Sequence, residues 1–299
     1  MTGITIEDIL AQVPELQGRQ VTAGPLAGGI TNANYRVQVD GRSFFVRLPG
    51  EASALLGIDR LTEVHNSREA ARLGLAPKVV AFLPESGVIV TEFLELQTVQ
   101  AEVLRTPKWI ERVSEAIRKL HREASFRGDF DMPARIAEYR RTIEAQGLRR
   151  PEGYGAGLEP LAELDRRLRR GAPPQAACHN DLVPENILDG GSRPFFVDYD
   201  YSGNNDPLFE LGDLSVEAEF TEEDTRRLVS VYLGRTDEGL AARALLHGVF
   251  SDIGWALWAS IQERSSSLAF DFAGYGRRRW ERAQGKIRNG DMERWLREI

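Results

Sequence analysis

The stretch His179-Asn180-Asp181-Leu182-Val183-Pro184-Glu185-Asn186, followed by Phe195-Phe196-Val197-Asp198-Tyr199-Asp200, carries the side chains that phosphoryl transfer to a hydroxyl requires. A loop Asp can accept the hydroxyl proton, while an Asn five positions on and an Asp beyond a short hairpin can hold Mg²⁺ against nucleotide phosphates. The spacing assigns Asp181 as the base, Asn186 and Asp198 as metal ligands, and ATP as the donor. Asp200 shares the face of Asp198 if the strand continues, and is a further candidate ligand for a second Mg²⁺. Gly190-Gly191 and the apolar run Pro194 to Val197 predict a β-hairpin that sets Asn186 beside Asp198. Turn preference explains any one of these residues. It does not explain His-x-Asp-x-x-x-x-Asn ahead of an apolar strand that ends in Asp.

Other elements must position these groups. Ile4 to Val13 reads as a short amphipathic helix, with Thr5 as N-cap and Pro14 after it. Val21 to Leu26, Tyr35 to Val39 and Ser43 to Leu48 read as strands, with Gly28-Gly29 and Asp40-Gly41 as the turns between them. Asp59 to Leu73 reads as a helix, and Val79 to Leu83 and Gly87 to Glu92 as two more strands. The loop Gly28-Gly29-Ile30-Thr31-Asn32 lies between strands, where glycine lets backbone N–H groups approach nucleotide phosphates. Past Phe93 the periodicity turns helical: Trp109, Val113, Ile117 and Leu120 form an apolar stripe ahead of His121. Further helices are expected over Arg135 to Ala145, Pro160 to Arg170, Glu222 to Leu233, Gly239 to Glu263 and Tyr275 to Ile287. The fold class is α+β, with no internal repeat or low-complexity tract.

These motifs resemble the choline kinase and aminoglycoside phosphotransferase superfamily, the small-molecule branch of the protein-kinase-like fold, and choline kinases most of all. The likeness covers nearly the whole chain: the glycine loop, His179 to Asn186, Asp198-Tyr199-Asp200-Tyr201, Asn205-Asp206-Pro207-Leu208-Phe209-Glu210-Leu211 and the Trp pair at Trp255. It implies a bilobal chain, with residues 1–93 as a nucleotide-binding N-lobe of antiparallel sheet plus helix, and residues 94–299 as a mainly helical C-lobe that binds substrate and catalyses. Arg47 takes the strand position where protein kinases carry a phosphate-binding Lys, and a guanidinium can grip phosphate oxygens with two donors. Glu63, in preference to Glu69, is expected to orient Arg47. Backbone groups of Glu92 and Leu94 are expected beside adenine, and His179 is expected to brace the loop around the base.

Trp255 and Trp258, three residues apart, fall on one side of a helix. A quaternary ammonium has no N–H to donate, so aromatic faces and nearby carboxylates recognise it. Spacing alone makes the Trp pair packed core. The resemblance makes it an acceptor cage, with Glu217 or Asp213 supplying negative charge and Tyr232 or Tyr275 closing it. The implied activity is ATP- and Mg²⁺-dependent transfer to the hydroxyl of choline or ethanolamine. Thiamine or an aminoglycoside as acceptor, and a kinase-like protein that binds without turnover, are the alternatives. An aminoglycoside would call for many carboxylates, and intact Asp181, Asn186 and Asp198 speak for turnover.

At 299 residues and 42% hydrophobic, the chain is long and apolar enough to fill two lobes. A net charge of −7 argues against DNA or RNA as partner and suits a cationic small molecule. Cys178, the single cysteine, excludes an intramolecular disulfide and is expected to be a small buried hydrophobe rather than a nucleophile. No leader-like N-terminus and no uninterrupted apolar run of membrane length is seen, so a cytoplasmic protein without a membrane partner is expected. The basic clusters Arg149-Arg150 and Arg277 to Arg279 are expected to be solvated faces.

Overall fold

The computed structural model describes residues 6–14, 16–17, 19–26, 31–50 and 55–299. Helix α1 (Ile6–Leu10) precedes five antiparallel strands, β1 (Val21–Pro25), β2 (Ala33–Val39), β3 (Arg42–Leu48), β4 (Val79–Leu83) and β5 (Val88–Glu92), ordered β1-β2-β3-β5-β4. Alternation along the strands explains the sheet: Val37 and Val39, Phe44 and Val46, and Val88 and Val90 turn to one face and pack with Ile9, Leu10 and Val13. Asp40 and Gly41 connect β2 to β3, both at positive φ, as a two-residue hairpin turn requires.

Helix α2 (Arg60–Arg72) starts where Asp59 caps it, its side chain accepting from the amides of Leu61 and Thr62. Its buried stripe is unusual for a soluble helix because it includes Glu63, Asn66 and Ser67 beside Val64 and Ala70. Buried polar groups need partners, and those partners lie in the second half of the chain. Asn66 donates to the Ser202 hydroxyl at 3.1 Å and accepts from the Arg127 amide at 2.8 Å. The inserted helix therefore ties sheet and C-lobe together on the side where Glu63 points.

The C-lobe holds α3 (Ala101–Leu104), α4 (Pro107–Glu123), α5 (Met132–Gln146), α6 (Tyr154–Leu158) and α7 (Leu161–Arg169). Short strands β6 (Ala176–Cys178), β7 (Ile187–Asp189), β8 (Pro194–Phe196) and β9 (Gly203–Asn205) follow, then α8 (Pro207–Glu217), α9 (Glu222–Leu233), α10 (Glu238–Ser265), α11 (Phe272–Arg288) and α12 (Asp291–Glu298). The expected stripe Trp109, Val113, Ile117 and Leu120 on α4 is buried. Helix α8 was not anticipated, although Asp206-Pro207 marks its start: Asp206 accepts from the Leu208 amide and Pro207 fills the first turn. Helix α11 begins three residues before the expected Tyr275, because Asp271 caps it through the Gly274 amide.

Helix α10 is the axis of the lobe. Among the described residues it alone is long and apolar enough to cross a membrane, yet 89% of its most apolar window is buried inside the protein, as a central core helix requires. It crosses α8 closely: a Cβ on Gly212 would lie 2.2 Å from the Ala244 carbonyl oxygen, so only glycine fits there. That approach sets Asp213 of α8 against Ser251 and Trp255 of α10.

Candidate active site

The loop from His179 to Asn186 leaves β6 and is anchored before it reaches Asp181. Asn180 has φ of 68°, a left-handed conformation that Asn tolerates better than most residues. Its side chain holds that turn, donating to the carbonyls of Cys178 (3.2 Å) and Tyr201 (3.0 Å) and accepting from Asn205 (2.8 Å). His179 is fully buried; its amide donates to Glu210 at 2.8 Å, and its Nε2–H donates to the Val197 carbonyl at 2.9 Å. Burial pulls the His179 ring below the ordinary histidine range, so it is neutral and carries no catalytic proton here. The Leu182 amide donates to Asp213 at 3.3 Å. Asn180 and Glu210 lie inside motifs visible in the sequence, but their roles required knowing what stands opposite them. Cys178 is buried, and burial pushes its thiol well up, away from thiolate chemistry.

The hairpin expected from the sequence is present. Strands β7 and β8 pair antiparallel, and the Val197 amide donates to the Asn186 carbonyl at 3.0 Å, which brings Asp198 next to Asn186. Asn186 Nδ2 donates to the Asp181 carbonyl at 2.9 Å, which leaves Oδ1 as its acceptor atom. Asp198 sits at φ of 65°, with its carboxylate 30% exposed and Arg47 3.4 Å away. Burial and the neighbouring Asp200 push Asp198 up to about 8, so a cation arriving there gains a carboxylate that has few other partners. An amide oxygen and a carboxylate are hard ligands that fit Mg²⁺.

Arg47 is buried and makes ion pairs with Glu63, with Asp200 at 2.6 Å and with Asp198 at 3.4 Å. The structure thus chooses Glu63; Glu69 pairs instead with Arg72, near the surface at the far end of α2. Asp200 departs from the expectation of an open metal ligand. Its Oδ1 takes both Arg47 and Arg60, each at 2.6 Å, and its Oδ2 accepts from Asn32 at 2.9 Å. The chain bends at Asp198, whose φ is positive, yet Arg47 Nη1 still reaches both carboxylates. Those guanidiniums hold Asp200 down to about 2 against the upward push of burial. Gly28 and Gly29 lie outside the described residues. Glu92 and Leu94 sit where β5 leaves the sheet: the Glu92 amide donates to the Lys78 carbonyl at 2.9 Å, and the Phe93 amide to the Ser43 carbonyl at 3.2 Å, leaving Leu94 just past the last pairing.

At the other end of the cleft, Asp181 is pushed well above the ordinary carboxylate range by burial and by the charges of Asp213, Glu217 and Asp198. A raised basicity suits a group that must accept a hydroxyl proton. Trp255 and Trp258 are both 3% exposed and meet edge to face at 6.2 Å. Trp255 donates its indole N–H to Asp213 at 2.9 Å, and Trp258 donates to the Tyr201 hydroxyl at 2.8 Å. Tyr275, Phe272 and Tyr201 complete the aromatic cluster. Tyr232 does not belong to it; its hydroxyl lies 2.9 Å from His121 Nδ1, beyond the catalytic loop.

Glu217 is also engaged differently from the expectation of a free substrate carboxylate, since it is ion-paired with Arg279. Arg279 is itself buried rather than part of a solvated basic face, lies 4.6 Å over the Tyr275 ring, and reaches Asp252 at 3.5 Å. A cavity of about 1120 Å³, lined by Arg149, Glu263, Arg277 and Trp280, touches the aromatic cluster through Phe272 and is lined by none of Asp181, Asp213, Glu217 or Arg279.

Comparison with known proteins identifies relatives of the chain. The family model described as "Phosphotransferase enzyme family" matches residues 22–246. A crystal structure of a choline/ethanolamine kinase family protein from Mesorhizobium loti is 33% identical, with a TM-score of 0.83 covering 97% of this chain and 96% of that one. The choline kinase LicA from Streptococcus pneumoniae is 26% identical, with a TM-score of 0.81 covering 95% of this chain and 99% of that one. Ethanolamine kinase 2 of Mus musculus is 28% identical over 88% of this chain and 75% of its own length.

Proposed function

The chain belongs to the phosphotransferase enzyme family, as a small-molecule kinase that transfers phosphate to an alcohol, and from that premise we propose ATP as donor and a cationic amino alcohol, choline or ethanolamine, as acceptor. In this reading residues 1–93 form the nucleotide-binding lobe and residues 94–299 the catalytic and acceptor-binding lobe. The observation that supports it is the company Asp181 keeps: the Asn186 side chain donates to its carbonyl, the charges of Asp198, Asp213 and Glu217 act on its carboxylate, and its charge in turn acts on Tyr201 and Tyr275.

Asn186 Oδ1 and Asp198 are the groups that would hold Mg²⁺, which supplies neutralisation of phosphate charge when bound. Arg47, kept in place by Glu63, faces the phosphates as a cation that cannot lose its proton. The backbone at Glu92 and Leu94 offers hydrogen bonds to adenine, and the glycine loop at Gly28-Gly29 covers the phosphates. Asp181 would accept the hydroxyl proton as the oxygen attacks the γ-phosphorus and the bond to the β,γ-bridging oxygen breaks, releasing ADP. The acidic, aromatic end attracts a cation through ring faces and through the carboxyls of Asp213 and Glu217. With Glu217 already paired and Asp213 accepting three hydrogen bonds, this end has too few open carboxylates for the several ammonium groups of an aminoglycoside.

The test is ATP turnover with Mg²⁺ over choline, ethanolamine, thiamine and an aminoglycoside at matched concentrations. Highest kcat/KM with choline or ethanolamine is the expected result. Turnover confined to thiamine or the aminoglycoside would keep the phosphate chemistry and overturn the acceptor, and nucleotide binding with no acceptor phosphorylated would favour a binding protein.

A further inference from the structure

A second guanidinium reaches the phosphate end of the cleft. Arg60 is the first residue of α2, immediately after the cap at Asp59. Its Nη1 lies 2.6 Å from Asp200 Oδ1 and 2.8 Å from Glu63 Oε2, and its Nη2 donates to Asn32 Oδ1 at 3.0 Å. Asn32 in turn accepts from the Gly50 amide at 3.3 Å and donates to Asp200 at 2.9 Å. Arg60 therefore joins α2, the flank of the glycine loop and the Asp198-Tyr199-Asp200 segment at one point.

Arg47 and Arg60 differ in how firmly they are held. Arg47 is wedged among Glu63, Asp198 and Asp200, with its side chain 4% exposed, whereas the Arg60 side chain is 13% exposed. Glu63, Asp198 and Asp200 carry three negative charges against two guanidiniums, so the cluster as a whole still attracts a cation. Yet every oxygen of Asp200 is hydrogen-bonded, and an oxygen donates to Mg²⁺ only through an available lone pair that no guanidinium crowds. The same Nη atoms that bind a carboxylate in a fork also match phosphate oxygens.

We propose that Arg60 is a second phosphate-binding residue, and that Asp200 and nucleotide phosphate are alternative partners for its guanidinium. When nucleotide enters, Arg60 turns from Asp200 to the β- and γ-phosphates, while Asp200 keeps Arg47 and Asn32 as its partners. No bond is made or broken in this exchange. It rests on the kinase reading above and gives that reading a residue beyond Arg47 for polyphosphate selectivity.

The experiment is isothermal titration of the full-length protein with Mg²⁺-AMP-PNP and with AMP, for the wild type, Arg60→Gln and Arg60→Lys. Arg60→Gln should weaken Mg²⁺-AMP-PNP about tenfold or more, the effect of removing charged hydrogen bonds, and change AMP less than about twofold. Arg60→Lys, which keeps charge and stem, should fold and recover part of the loss. Equal weakening of both nucleotides would show a structural role, and unchanged or tighter Mg²⁺-AMP-PNP binding would show that Arg60 only competes with the metal; each overturns the proposal. Should Arg60→Gln not fold, an Arg60→Lys protein that binds Mg²⁺-AMP-PNP like the wild type would overturn it as well. A wild type that binds neither nucleotide overturns the kinase reading itself, and the proposal with it.

Discussion

The two ends of the cleft solve the problem of buried charge in opposite ways. At the phosphate end, Glu63, Asp198 and Asp200 are answered by Arg47 and Arg60 through direct ion pairs that cross from one lobe to the other. At the acceptor end Glu217 is paired with Arg279, which also reaches Asp252, and Asp213 is satisfied by neutral donors, Ser251 at 2.7 Å and Trp255 at 2.9 Å. The end at Arg47 and Arg60 thus answers its carboxylates with guanidinium charge. At the other end burial and mutual repulsion hold the carboxyls of Asp181 and Asp213 above their ordinary range instead. One consequence is visible in the carboxylates themselves: Asp200 is held down to about 2, while Asp213 rises to about 7.

The largest test of this contrast is Asp181→Asn. Loss of the base should lower kcat by about a thousandfold, while melting temperature holds or rises, because an anion crowded by Asp213, Glu217 and Asp198 is removed. A near-normal kcat would break the assignment of Asp181. Next in size, Asp198→Asn should lower kcat by roughly a hundredfold and raise the Mg²⁺ concentration for half-maximal rate, leaving the acceptor KM unchanged. An unaltered Mg²⁺ requirement would remove Asp198 from the metal site.

A smaller effect separates the two ends directly. Trp258→Phe keeps an aromatic ring but loses the 2.8 Å hydrogen bond to Tyr201, leaving a buried hydroxyl without its donor at a cost of about 1–3 kcal/mol. The acceptor KM should rise by about tenfold and the ATP KM should not move. Equal shifts in both constants would show the indole acting as general core packing, the role that its 3% exposure alone suggests.

The same contrast explains what could be read from the sequence. Asp181, Asn186 and Asp198 are local: a loop and a hairpin bring them together, and both leave their mark as short spacings and turn residues. Most helices and all five strands of the N-lobe sheet also follow from periodicity and caps. Glu63 could be chosen over Glu69 because distance along one helix limits which carboxylate reaches Arg47. Contacts that depend on how α8, α10 and α11 cross are different in kind. Arg279 looks like part of an exposed Arg277-Arg278-Arg279 run, and its burial against Glu217, Asp252 and Tyr275 follows only from packing. Tyr232 could not be told from Tyr275 by spacing, since each follows a helical pattern and only the helix orientation decides which reaches the cluster. Arg60 was missed because nothing in Asp59-Arg60-Leu61 distinguishes a capped helix start from a phosphate site.

The smallest effect concerns Asp213, and its sign is specific. Burial first, and the charge of Glu217 second, push it from an ordinary value of 3.8 up to about 7, against hydrogen bonds from Ser251 and Trp255. Between about pH 4 and pH 7 the folded chain therefore holds a proton that the unfolded chain has released, so the stability this group contributes is complete below pH 4 and is lost as pH rises to 7. Asp213→Asn removes the titration while keeping the side chain's shape. The melting temperature of the wild type relative to Asp213→Asn should fall between pH 4.5 and pH 7.5, by roughly a few degrees for a chain of this size. A difference that stays flat with pH would mean that the neutral donors suffice to keep Asp213 ionised. The acceptor end would then carry a full extra negative charge in its resting state, and its contrast with the guanidinium-neutralised phosphate end would be larger still.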